Sequence, residues 1–95
     1  MRVKTHPGEV LREEFMIPLG LSANALAIEL RVPATRIGDI VNERRGVSAD
    51  TALRLSRYFG TTPQFWLNLQ QSYDLSKVAA EQGEKIIHDI RPRAA

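Results

Sequence analysis

Residues 21–42, LSANALAIELRVPATRIGDIVN, constrain this chain more than any other stretch. Leu26 and Leu30 lie one helical turn apart with Ala27 between them, and Ser22 is placed to cap the helix that carries them. A second run, from about Pro33 to Asn42, sets Ile37, Ile40 and Val41 at i, i+3 and i+4. Two short amphipathic helices joined by a tight turn form the helix-turn-helix layout. With the isoleucine stripe inward, Ala34, Thr35, Arg36 and Asp39 of the second helix face out.

The flanking sequence divides into further helices. The first starts near Pro7, where proline is tolerated and Glu9 complements the helix dipole. Val10, Leu11 and Phe15 supply its apolar face, and Ile17-Pro18 predicts a stop near Met16. Arg44-Arg45-Gly46 reads as a loop. Ser48 caps a fourth helix with Ala52, Leu53, Leu55, Tyr58 and Phe59 as core candidates, and Gly60 ends it. Thr62-Pro63 starts a fifth, carrying Phe65, Trp66, Leu69, Tyr73 and Leu75. No hairpin signal occurs in residues 1–75, so the fold class is all-α with five helices.

Beyond residue 75 the pattern is ambiguous. Gly83 predicts a break in the fifth helix, and KIIHDIRPR suits either a helix or a short strand stopped by Pro92. A strand here would pair with its own copy in a second subunit. The chain thus divides into a helix-turn-helix domain at 1–75 and a tail at 76–95 that is a candidate dimerisation element.

Ninety-five residues support one small domain, for which oligomerisation is a natural source of added stability. No cysteine is present, which excludes disulfides and thiolate metal sites. No apolar run approaches bilayer length, and MRVKTHPGEV lacks a signal-peptide core, so the expected location is the cytoplasm, at the nucleoid. The net charge of +2 is unevenly spread. Residues 31–57 hold six arginines against three acids, residues 1–30 three basic residues against four acids, and residues 58–95 four of each. The positive surplus therefore falls in and after the second helix of the motif, where DNA phosphates would be met.

A helix entering the major groove needs small or polar residues at its exposed N-terminal end. Ala34 suits a thymine methyl, Thr35 a base edge, Arg36 a guanine or a phosphate. Asp39 suits a cytosine amino group, or pairs with Arg36. Backbone contacts fall to Ser22, Ala23 and Asn24 at the start of the first motif helix, where free amides attract phosphate. Arg31, Asn42, Arg44 and Arg45 complete the phosphate-binding set. For Ser22 a plain helix cap is an equal reading, and for Asp39 an ion pair is the simpler one.

The string HPGEVLREEFMIPLGLSANALA, followed by RI, IVNERRGVSADTALRLSRYFG and TTPQFWLNLQQSYDL, resembles the HigA/VapI antitoxins over residues 6–75. The motif within it resembles the Xre-like (Cro/phage-repressor) family. The resemblance implies a λ-repressor-like fold and a dimer bound to palindromic double-stranded operator DNA. It further implies neutralisation of a small basic RelE-like ribonuclease toxin encoded nearby, and repression of the shared operon. Two positions depart from the pattern: Ala23 stands where glutamine often contacts phosphate, and Arg31 stands where glycine is common in the turn.

Other functions find less support. His6 and His88 are far apart, and no Gly-rich phosphate loop or paired metal-ligand spacing occurs, so neither catalysis, a metal nor a cofactor is expected. His6 reads as a helix-start residue. The aromatic and leucine run of the fifth helix covers more circumference than one buried face needs. We assign Phe65, Trp66, Leu69, Tyr73, Ile86, Ile87 and Ile90 to a homodimer interface, with the same surface as a toxin site as the alternative. A stand-alone regulator without a toxin, and an interaction module that has lost DNA binding, are the competing functions.

Overall fold

Side chains start four of the five helices. In the computed structural model, which describes residues 2–94, Ser22, Ser48 and Thr62 each accept a hydrogen bond from the backbone amide three residues on. His6 does the same for the first helix, its Nδ1 accepting from the Gly8 amide at 2.9 Å. The first helix, α1, is three contiguous stretches: α-helical Pro7–Val10, π-helical Leu11–Met16 and α-helical Ile17–Leu19. Then follow α2 (Ala23–Leu30), α3 (Ala34–Val41), α4 (Ala49–Phe59) and α5 (Pro63–Asp89). No strand occurs among the described residues.

Two predicted breaks are corrected. The helix does not stop at Met16 but continues through Pro18, because its winding loosens first. The Ile17 amide donates to the Arg12 carbonyl, five residues back, and Leu21 does the same to Met16 at 2.9 Å. Proline forbids the tighter pattern by lacking an N–H and crowding the carbonyl four residues back; the wider turn relieves both. The chain then reverses at Gly20, whose φ of 64° favours glycine. Gly83, likewise, does not break α5. A mid-helix glycine costs about 1 kcal/mol against alanine, and the surrounding Ala79, Ala80, Glu81, Gln82, Glu84 and Lys85 are strong helix formers. Of the two readings of the tail, helix holds as far as Asp89.

The core is built by Leu11, Leu26, Ile37, Ile40, Ala52, Leu55 and Trp66, all without solvent exposure, with Met16, Ala27, Leu30 and Val47 nearly so. The HPGE start gains a physical meaning here. A side chain on Gly8 would collide with the backbone carbonyl of Ile40, so glycine lets α1 lie directly on α3. Leu53 and Tyr58, expected in the core, are exposed instead, as is Leu75 on α5.

The fifth helix has two unlike halves. Near its start, Trp66 packs against Phe15 with ring centroids 5.2 Å apart, and its indole N–H donates to Thr61 at 2.8 Å. Gln70 accepts from the Val47 amide at 2.7 Å, pinning the loop that follows α3. Ser76, also buried, accepts from the Lys4 amide at 2.9 Å and ties down the N-terminal arm. No described residue after Ser76 is buried, and the molecule measures 52 × 24 × 21 Å because this half projects from the body.

Candidate nucleic-acid interface

The turn between α2 and α3 closes through two backbone bonds. Arg31 donates to Ile28 at 3.2 Å and Val32 donates to Ala27 at 3.0 Å, a Schellman arrangement that places Arg31 in the left-handed region at φ 59°. An arginine there carries about 1 kcal/mol of strain relative to glycine. Its guanidinium returns to the Ile28 carbonyl at 2.8 Å, placing positive charge on the negative end of the α2 dipole. The strain at this departure from the common glycine is thus answered within the chain. Glu43, just past α3, has a second positive φ of 60° that the sequence did not announce.

The turn presents α3 by its N-terminal end. Ile37 and Ile40 are wholly buried, while Pro33, Ala34 and Thr35 are exposed and free of side-chain hydrogen bonds among the described residues. Arg36 is half-buried and pairs with Asp50 on α4 at 2.6 Å, not with Asp39. That ion pair corrects the expected Arg36–Asp39 contact. Asp39 turns instead to the far end of its own helix, where it meets Arg44 at 3.4 Å and Arg45 at 3.6 Å. Asn42 donates to the Gly38 carbonyl at 2.9 Å, closing the end of α3.

At the start of α2, Ser22 is engaged as the cap and Asn24 is exposed. Ala23 packs partly against the core. Asp50 and Arg54 are the residues that sequence reasoning missed. The Arg54 Nε donates to Asp50 at 3.0 Å and its Nη1 donates to the Leu30 carbonyl at 2.8 Å. Arg54 first, and Arg36 second, hold the Asp50 carboxyl below the usual carboxylate range. The i, i+4 spacing of Asp50 and Arg54 was visible in the sequence, but the reach to α3 and α2 was not.

These arginine pairs lie at the surface, where solvent screening leaves an ion pair little net strength. They orient the cations while leaving them accessible from solvent.

Of the residues assigned to a dimer, Phe65, Leu69 and Tyr73 lie on the anchored half of α5, partly exposed, with Tyr73 edge-on to His6 at 4.7 Å. Ile86, Ile87 and Ile90 are exposed on and just past the projecting half, at 44%, 80% and 64%. Trp66 leaves the set: it is entirely enclosed within its own protomer and has no surface to offer a partner.

A family model described as helix-turn-helix matches residues 11–66. Virulence-associated protein I of Dichelobacter nodosus is 58% identical over 87 residues, covering 92% of this chain and 79% of its own. Pseudomonas aeruginosa antitoxin HigA, solved with the higBA promoter, superposes with a TM-score of 0.92 at 50% identity, over 95% of this chain and 98% of that one. The antitoxin GraA, solved in complex with its operator, gives 0.93 at 49% identity, over 100% of this chain and 95% of that one. The chain belongs to the HigA/VapI family of Xre-like helix-turn-helix proteins. No described helix is long and apolar enough to cross a membrane.

Proposed function

We propose that this protein is a DNA-binding antitoxin that represses its own operon and neutralises a RelE-like mRNA-cleaving toxin. The observation that carries the DNA-binding part is the exposed tip of α3, with Ala34 and Thr35 bare above a fully buried isoleucine stripe. Relatives about half identical were solved on promoter or operator DNA. In this reading Thr35 and Arg36 read base edges, with Ala34 and Asp39 beside them. Ser22, Ala23, Asn24, Arg31, Asn42, Arg44 and Arg45 hold phosphates and set the register.

The protein acts as a homodimer, its recognition helices about 34 Å apart to meet successive major grooves. The bare isoleucines of α5 supply the surface that joins two copies, together with Phe65, Leu69 and Tyr73. The toxin meets a different surface. Support for the toxin role comes from the antitoxin relatives.

The test is co-expression with the product of an adjacent small basic reading frame. Relief of that product's growth arrest, with co-purification of the two chains, is the expected result. A neighbour that neither arrests growth nor binds would leave a stand-alone regulator in place of an antitoxin.

A further inference from the structure

We propose that Asp50, on α4 and outside the helix-turn-helix itself, is a positioning residue that sets DNA specificity by presenting Arg36 to the bases. The proposal rests on the DNA-reading assignment above. Arg36 is a long side chain at the tip of α3, and left to itself it would reach a phosphate as easily as a base. Asp50 removes that freedom. Its Oδ2 receives the Arg36 Nη1 at 2.6 Å.

A guanidinium carries five N–H donors in one plane, so engaging Nη1 leaves the Nε and Nη2 donors available. Neither has a hydrogen-bond partner among the described residues. Two parallel donors held in one plane match the O6 and N7 acceptors of guanine. Asp50 is itself held. Arg54 donates to the same Oδ2 at 3.0 Å and to the Leu30 carbonyl at 2.8 Å, so one chain of bonds ties the end of α2, the start of α4 and the tip of α3.

Two consequences follow for recognition. The rotamer entropy of Arg36 is already largely lost before DNA arrives, which strengthens the base contact. The carboxylate beside the guanidinium also weakens its attraction to phosphate, the contact that carries no sequence information. The pair is placed where DNA can reach it, with the Arg36 and Asp50 side chains 29% and 55% exposed.

The experiment uses the full chain and a duplex selected by the wild-type protein from a random-sequence pool, with a scrambled duplex of equal length as control. Affinities for both are measured for wild type, Asp50→Asn, Asp50→Glu, Arg36→Ala and the Arg36→Ala/Asp50→Asn double variant. Asp50→Asn should cut the selected-to-scrambled ratio about ten-fold, the scale of one base contact, while scrambled-duplex affinity holds or tightens. Asp50→Glu should recover part of the ratio, and Asp50→Asn should change nothing further once Arg36 is alanine. An unchanged ratio in Asp50→Asn would overturn the proposal. So would an equal loss in the Arg36→Ala background, which would mark a general structural role. A wild-type protein that selects no duplex would overturn the DNA-reading assignment itself.

Discussion

The two helices of the motif and the far half of α5 handle apolar surface in opposite ways. In α2 and α3, Leu26, Leu30, Ile37 and Ile40 are buried at 5% exposure or less, and apart from Ile28 what faces out is small or polar. In α5 beyond Ser76, Val78, Ile86 and Ile87 stand in solvent, followed by Ile90 at the cap. The head encloses a core and leaves only scattered apolar residues such as Ile28 and Leu53 in solvent, whereas the tail beyond Ser76 buries none of its own among the described residues. An isolated helix of about a dozen residues is marginal in water, so the tail is the part that the proposed dimer would stabilise most.

The first way to break the comparison is Trp66→Ala, at the junction of the two regions. Removing a wholly buried tryptophan should cost about 3–5 kcal/mol and unfold the head along with α5. Chemical denaturation monitored by helical circular dichroism checks this. A loss under about 1 kcal/mol would mean that the head does not need α5, contrary to the packing seen.

Arg31→Gly sharpens the account of the turn. Relief of the left-handed strain should raise stability by up to about 1 kcal/mol, while the salt dependence of DNA binding should flatten by about one phosphate contact. Stability falling on this change would show that the guanidinium bond to Ile28 outweighs the strain.

A pH titration addresses the opposite end of the head. Desolvation in its nearly closed setting lowers the His6 pKa from its ordinary value of 6.5. The neutral ring is also the form that accepts the Gly8 amide. The unfolded chain therefore binds the proton first, so stability is fully present above about 6.5 and falls as pH drops toward the folded value. Melting temperatures from pH 7 to 5 should decline, and His6→Asn should flatten that decline.

The smallest effect on folding is expected in the tail. Replacing Ile86, Ile87 and Ile90 with serine should change protomer stability by no more than about 0.5 kcal/mol, yet convert dimer to monomer in sedimentation. A dimer that survives would move the interface elsewhere.

Much of this contrast was legible in the residues. Ser22, Ser48, Thr62 and Gly60 announce helix ends through local chemistry, and each does in the fold what its type predicts. The inward stripe of α3 was readable because periodicity is also local. The failures share a cause, which is that they depend on contacts far away in sequence or on a rare winding. Pro18 sits inside a helix only because the turn before it is π-helical, and no residue type signals that. Trp66 looked like interface because α5 is apolar around much of its circumference; which part is covered was decided by Phe15 and Thr61. Asp50 was invisible as a partner of Arg36 because fourteen positions and a loop separate them.

The central claim is that the tip of α3 reads DNA sequence. Its most direct test compares wild type with the Thr35→Ala/Arg36→Ala variant on selected and scrambled duplexes over a range of salt. The account predicts that wild type discriminates between them, and that the variant loses at least about ten-fold of that preference while keeping a steep, salt-dependent affinity for any duplex. A variant that still prefers the selected duplex as strongly as wild type would contradict it.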